Sequence, residues 1–466
     1  MLKSSISDIF LNKVSFNSFI NIEGWIRSCR HSKIGISFIQ IYDGSCFHSI
    51  QIIVKNTLKN YQNDILILNV GCSISIHGVL IKSLGKEQFF EIFAHKVNVI
   101  GPIKNPEKYP ISPKKHTLEY LRIHAHLRPR TNIITAVSRI RNVLFQTINN
   151  FLFKSGFFWI PTPIITCLNT EGSGDMFNVS TIDKKCFIGK LNKKKFSNKN
   201  FFGKKAFLTV SGQLTLEAYA CAYKKVYSLG PVFRAENSNT TRHLSEFWML
   251  EIECAFYNLN DLIFFSEKII KHIISVILNS CALELEFLKN NVDKNIFERL
   301  KNFLLTKFQV ITYQEALNIL FYNKKIDFNI NMENVNISSE QERYLVDEYF
   351  HKPVIIINFP KKLKAFYMKI NDDNDTVASM DILFPGIGEI LGGSEREDRI
   401  KKLDKRIFEC NLNKKDYWWY RDLRKYGSVP HAGFGLGIER LISYITGIRN
   451  VRDIIPFPRI VNNIDF

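Results

Sequence analysis

No stretch of this 466-residue chain stays apolar for about 18 consecutive residues, so no transmembrane helix is expected. None of the nine cysteines (Cys29, Cys46, Cys72, Cys167, Cys186, Cys221, Cys254, Cys281 and Cys410) stands in a CxxC pair. Such an odd, scattered set suits reduced thiols in a cytoplasm and argues against a structural zinc site. The segment Met1 to Lys13 contains Asp8 and no apolar core with a small-residue cleavage site, so no secretory signal is expected. It also lacks arginine, which speaks against an organellar transit peptide. A cytoplasmic location is the expectation. Acidic residues are in deficit: 44 Asp and Glu face 63 Lys and Arg, for a net charge of +19. That excess suits a polyanionic partner. However, the chain is rich in Lys, Asn, Ile and Phe throughout, as AT-biased coding would also produce. Runs such as Lys193-Lys194-Lys195 read equally well as solvated loop charge.

What is present is enough chain for two or three domains and, at 45% hydrophobic and 13% aromatic residues, enough apolar matter for large cores. Residues 1–103 read as short strands: Phe19 to Ile26, Ser37 to Tyr42, a tight turn at Asp43-Gly44, then Ser49 to Val54, Ile74 to Ile81 and Phe89 to Val99. Five strands in so short a span suggest a closed β-barrel of OB type, whose strand face suits single-stranded nucleic acid. A Pro-containing linker follows, placed at 104–130. From 131 to 466 the pattern is α+β. A helix carries Ile134, Val137, Ile140, Leu144 and Ile148 at three/four spacing and ends near Gly156. Strands are expected at Phe207 to Ser211, Val226 to Glu236 and Phe247 to Phe256, a helix-rich insertion at about 260–340, and a further strand group from Val354 to Gly393. A glycine-rich strand and a helix close the chain. Hairpin returns favour an antiparallel sheet flanked by helices.

Three segments carry candidate chemistry. Residues two apart share a strand face, so Arg234 and Glu236 point together, as do Phe247, Met249, Glu251 and Glu253 on the returning strand. A guanidinium fork can clamp a phosphate or carboxylate, although ion pairs on a solvated face would look the same. In the segment from Met380 to Arg396, Asp381 and Glu389 could hold a hard cation such as Mg²⁺ against nucleotide phosphates. The alternative there is a hairpin with surface carboxylates. In His431-Ala432-Gly433-Phe434-Gly435-Leu436-Gly437-Ile438-Glu439-Arg440, alternate glycines permit close backbone approach, for a ligand or simply for tight packing.

Together these segments resemble motifs 2 and 3 of the class II aminoacyl-tRNA synthetases, and Arg139 to Pro163 resembles motif 1. The match narrows to the subgroup with an N-terminal OB domain, the aspartate, asparagine and lysine enzymes. Within it, the stretch from Phe207 to Phe256, the segment YWWYRDLRKYGSVPHAGFGLGIERL and the terminal NVRDIIPFPR look like the asparagine enzymes of bacterial type.

The resemblance implies an OB-fold anticodon-binding domain and a class II catalytic domain, with ATP, L-asparagine and tRNA(Asn) as substrates. It implies that Arg234 holds the ATP α-phosphate and the substrate carboxylate, with Glu236 and His243 near the nucleotide. Phe247 and Arg440 would cover the two faces of adenine. Glu389 would ligate Mg²⁺ with Asp381 nearby. Glu171 and Gln213 would hold the α-amino group. Leu216 stands where the aspartate enzymes carry a lysine. Glu217 follows it, to accept from the amide NH₂ and repel aspartate, while Arg396 donates to the amide oxygen. In the OB domain, Phe38 would stack on an anticodon base and Gln51 would hydrogen-bond one, with Glu91 a further contact. A homodimer through motif 1 is implied, and the stripe from Ile134 to Ile148 offers either its surface or an intramolecular core. The rival readings are an aspartate enzyme, a non-catalytic RNA-binding relative and an ammonia-dependent asparagine synthetase. Leu216 with Glu217, the presence of Arg234, Glu389 and Arg440, and the OB domain argue against them in turn.

Overall fold

The computed structural model describes residues 2–85, 88–170, 175–181, 201–325 and 336–466. The chain divides into two compact units, Met1–Ala136 and Val137–Phe466. Among the described residues, no helix is long and apolar enough to cross a membrane.

The first unit is built on five strands: β1 (Phe19–Ser32), β2 (Ile36–Tyr42), β3 (Ile50–Lys55), β4 (Ser73–Lys82) and β5 (Phe90–Gly101). They pair in the order β1-β2-β3-β5-β4, and β4 pairs with β1 again, which closes the barrel. Among these five only β3 and β5 run parallel, and the two residues Leu2–Lys3 add a short strand parallel to β1. Strict alternation does this work: Ile39, Ile41, Ile50, Ile52, Val54 and Ile92 are buried inside, while their neighbours face out. The turn expected at Asp43-Gly44 is a longer loop. Asp43 accepts from the Ser45 N–H at 2.9 Å and, across the fold, from the Ile6 N–H at 2.8 Å, so its carboxylate caps two loops instead of closing a two-residue hairpin.

The second unit starts within helix α1 (Asn132–Lys154), which Gly156 ends at φ +79°. Its sheet contains β6 (Phe158–Trp159), β7 (Lys225–Phe233), β8 (Glu246–Ala255), β9 (Gln309–Thr312), β10 (Val354–Pro360), β11 (Thr376–Phe384), β12 (Gly388–Glu395) and β13 (His431–Gly437). The order is β9-β10-β11-β12-β13-β8-β7-β6, antiparallel except for the outermost pair at each edge. The strand expected from Phe207 to Ser211 is shorter, Ala206–Leu208, and belongs to a separate three-stranded sheet. Beyond it lies helix α2 (Gln213–Tyr223). The insertion supplies α3 (Leu259–Ser280), α4 (Ala282–Asn291), α5 (Ile296–Leu305), α6 (Tyr313–Tyr322) and the short α7 (Ser339–Arg343). Helices α8 (Ile400–Glu409), α9 (Trp418–Lys425) and α10 (Ile438–Thr446) complete the unit. Val137, Ile140, Leu144 and Ile148 on α1 are each at most 2% exposed, so that stripe is core within this chain and not a free dimer surface.

Candidate active site

Strand β8 lies between β7 and β13, and its alternate residues Phe247, Met249, Glu251 and Glu253 line a cavity of about 900 Å³. The glycines of β13 make room for them. Gly437, Gly435 and Gly433 stand directly opposite Met249, Glu251 and Glu253. A Cβ on Gly435 would sit 2.8 Å from the Met249 sulfur, and one on Gly433 would collide with the Glu253 carboxylate. The glycine alternation is therefore space for β8 side chains. Glu251 reaches the start of α2: it accepts from the Gly212 N–H at 2.9 Å and from Ser211 Oγ, fixing the turn that presents Gln213.

One end of the cavity is cationic. Arg234 follows β7, and its guanidinium carbon lies 5.5 Å from the Phe247 ring centroid. Arg440, in the first turn of α10, donates to the Glu389 carbonyl at 2.8 Å and approaches its carboxylate at 3.4 Å. Arg242 and His243 come from the loop between β7 and β8. The chain's C-terminal segment pins that loop: the Val451 N–H donates to the Thr241 carbonyl at 3.0 Å, and the Ser245 N–H to that of Arg459 at 2.8 Å. His243 Nδ1 faces Ser238 Oγ at 3.1 Å. Burial, then Arg440, holds the His243 imidazole below its ordinary value. Glu236 is exposed at the rim.

Asp381 and Glu389 face one space over Gly392, where a Cβ would lie 3.5 Å from Asp381 Oδ1 and 3.4 Å from Glu389 Oε1. Lys364 Nζ pairs with Asp381 at 2.6 Å. Desolvation raises the Asp381 carboxyl, and the neighbouring Glu389 adds to this against Lys364. For Glu389 the opposing desolvation is outweighed by Arg440, Lys364, Arg234 and Arg242, and its carboxyl is held below the ordinary value. Among the described residues no group of three or more potential ligands gathers, so substrate oxygens would have to complete a cation's shell.

The other end holds Gln213, Glu253 and Arg396. Arg396 is 3% exposed and forks onto Glu253 through Nε (3.2 Å) and Nη2, while Nη1 donates to Ser394 Oγ at 2.6 Å. Glu217 is placed differently from the expectation. It is fully buried one turn beyond Gln213 and is not among the residues lining the cavity. Its carboxylate accepts from Gln213 Nε2 (3.0 Å), Tyr420 Oη (2.7 Å), Arg424 Nη2 (2.7 Å) and His431 Nε2 (2.9 Å), and Arg396 Nε stands 3.9 Å away. A direct bond to an amide would have to displace one of those donors. Burial opposes ionisation of Glu217, but Arg424, His431 and Arg396 outweigh it, and the carboxyl is held well below its ordinary value. Burial pushes the Glu253 carboxyl the other way, up to about 7, against Arg396. Glu171, expected at the α-amino group, lies outside the described residues.

The barrel carries its own constellation. Register places Gln51 beside Glu91, and Gln51 Nε2 donates to Glu91 Oε1 at 2.8 Å. Phe38, Ile53 and Phe93 form the neighbouring row on the same outer face, with Arg30 over Phe38 at 5.2 Å. Phe38, Gln51 and Glu91 are thus brought together. Glu91 also accepts from Ser83 Oγ at 2.9 Å.

Residues 118–461 match the family of class II tRNA synthetases (D, K and N), and residues 20–100 match the OB-fold nucleic acid binding domain. Among relatives, the asparagine–tRNA ligase of Buchnera aphidicola subsp. Baizongia pistaciae is 58% identical over 462 residues, 99% of each chain. That of Haemophilus influenzae is 51% identical over 464 residues, again 99% of each. The chain belongs to the asparagine–tRNA ligases of class II. Among solved structures of this family, asparaginyl-tRNA synthetase from Pyrococcus horikoshii complexed with asparaginyl-adenylate superposes with a TM-score of 0.86 at 30% identity, covering 100% of this chain and 99% of that one. The aspartate reading gives way to these full-length matches. For an asparagine ligase, the residues not assigned from sequence are Tyr420, Arg424 and His431 behind Glu217, and Arg242 and Lys364 in the cationic end. Tyr420 and Arg424 stand four apart on α9, a spacing that places two side chains on one helix face. That was the available signal, but nothing local says which face meets Glu217.

Proposed function

We propose the following division of labour for ATP-dependent activation of L-asparagine and its transfer to the 3′ end of tRNA(Asn). Arg234 bridges the ATP α-phosphate and the asparagine carboxylate. Phe247 and Arg440 hold adenine between them, a ring face and a guanidinium plane. Glu236 and His243 border the nucleotide. An asparagine carboxylate oxygen attacks the α-phosphorus, the bond to the bridging oxygen breaks, and pyrophosphate leaves. The adenosine 3′-hydroxyl of tRNA then attacks the carbonyl carbon and AMP departs. No protein nucleophile is needed. The chain supplies position and positive charge where negative charge is shared in the transition state.

Asp381 and Glu389, two hard carboxylates around one space bounded by glycine, would hold Mg²⁺ beside the ATP phosphates. Such a cation commonly takes one or two carboxylates and leaves the remaining positions to substrate oxygens and water. Magnesium there would neutralise phosphate charge.

At the amino-acid end, Glu171 and Gln213 hold the α-amino group. Arg396 donates to the amide oxygen, and Gln213, backed by the buried Glu217, forms the polar wall for the amide NH₂. A wall with a buried anion and no lysine disfavours aspartate by repulsion. Phe38, Gln51 and Glu91 read the anticodon. A homodimer covers the edge strand β6, where Phe158 and Trp159 are 56% and 55% exposed beside Tyr223. Exposed apolar sheet edges call for a partner. The enzyme works in the cytoplasm.

The observation that carries this reading is that one cavity holds Arg234, Phe247, Glu389 and Arg440 at one end and Gln213 and Arg396 at the other. The test is ATP–pyrophosphate exchange with asparagine against aspartate, with and without tRNA. Exchange should follow asparagine alone; equal exchange with aspartate would overturn the selectivity.

A further inference from the structure

The insertion between β8 and β10 carries no motif that assigns it a role, yet its last helix touches the nucleotide end of the cavity. Glu342 on α7 accepts from the Glu389 N–H at 3.1 Å and from Arg242 Nη2 at 3.4 Å, both on Oε2. Arg242 Nη2 also reaches the Glu389 carbonyl at 3.5 Å. One carboxylate oxygen therefore ties a loop arginine to the main chain of the residue assigned to the metal. Five residues on, Asp347 accepts from the Gly386 N–H at 2.7 Å. Segment 339–349 thus grips the turn between β11 and β12 at two main-chain donors. Gly388 lets the carboxylate in: a Cβ there would lie 2.6 Å from Glu342 Oε2.

Arg242 lines the cavity, but its Nε and Nη1 are buried with no partner among the described residues. A buried donor without an acceptor is costly, so such groups ask for a ligand. Arg234, Arg440 and Lys364 line the same cavity as Arg242, a cluster of cations that suits an anionic acceptor. In an ATP-dependent ligase, the β,γ end of the triphosphate is an anion of that kind.

We propose that Glu342 is a positioning residue for the triphosphate end of the nucleotide site, acting through Arg242 and the main chain of Glu389. It holds one edge of the Arg242 guanidinium, and the remaining donors point to phosphate. It also fixes Glu389 without occupying that residue's own carboxylate oxygens. The insertion helix is thereby part of ATP binding and not only a covering of the sheet. The inference rests on the asparagine-ligase reading, and wild-type exchange with asparagine checks that reading separately.

The test is steady-state ATP–pyrophosphate exchange by Glu342→Ala and Glu342→Gln, with Arg242→Ala and the double variant Glu342→Ala/Arg242→Ala. Glu342→Ala should raise the KM for ATP by roughly tenfold, as loss of an orienting partner does, and leave the KM for asparagine within about twofold. Glu342→Gln keeps an acceptor oxygen and should recover part of the loss. The double variant should be little worse than Arg242→Ala, because the two act as one unit. A folded Glu342→Ala or Glu342→Gln enzyme with an unchanged KM for ATP would overturn the proposal. So would equal weakening for ATP and asparagine, or additive losses in the double variant. If Glu342→Ala does not fold, Glu342→Gln decides by the same split between the two KM values.

Discussion

Glu217 has no exposed surface, and four side chains donate to its carboxylate. Replacing it by glutamine leaves Arg424 and Arg396 short of a counter-charge. Breaking a buried ion pair from one side costs roughly 3–5 kcal/mol. Glu217→Gln should therefore lose stability of that order in urea unfolding, and its asparagine-dependent exchange should fall with it. The pH dependence has a definite sign. The folded carboxyl is held below the ordinary 4.5, so its stabilisation is fully present above that value and is lost as pH falls below it. The stability gap between wild type and Glu217→Gln should be constant from neutral pH down to about 5 and narrow below that, as unfolding curves across pH would record. Glu217→Lys should abolish activation outright, because it removes the counter-charge of Arg396 and Arg424 and adds a third cation beside them.

At the scale of elements, alternation along β8 was legible and decisive. Phe247, Met249, Glu251 and Glu253 share a face because they lie two apart, and that face lines the cavity. The glycines of β13 were legible only as permission for close approach. Which side chains approach follows from register, since Gly433 meets Glu253 only once β13 and β8 pair. Helix α2 was not anticipated as a helix, although it presents Gln213 and buries Glu217. In the barrel, alternation set Phe38 on the outer face, and pairing with β3 and β5 brought Gln51 and Glu91 beside it. Phe38→Ala should weaken aminoacylation of tRNA(Asn) by an amount corresponding to one lost base stack, about 1–3 kcal/mol. Amino-acid activation should stay intact, so comparing charging with exchange in one preparation checks the assignment.

At the scale of the whole molecule, the stripe on α1 left two readings open, and burial within one chain chose the core. Apolar surface is left at the β6 edge of the sheet, at Phe158, Trp159 and Tyr223. If the proposed homodimer covers this edge, Trp159→Glu should shift the protein towards monomers in sedimentation velocity; an unchanged sedimentation coefficient would place the dimer surface elsewhere. The sequence by itself determined the two-domain plan and the strand faces, because strand period is a local property, and its resemblance to class II synthetases pointed to Arg234, Phe247, Glu389, Arg396 and Arg440 as site residues. The tertiary structure alone decided depth and company. It sank Glu217 behind Gln213 and gave it Tyr420, Arg424 and His431, and it brought Glu342 from the insertion to Glu389. Those partners lie tens to hundreds of residues away along the chain, and only sheet pairing and core packing bring such groups within hydrogen-bond reach.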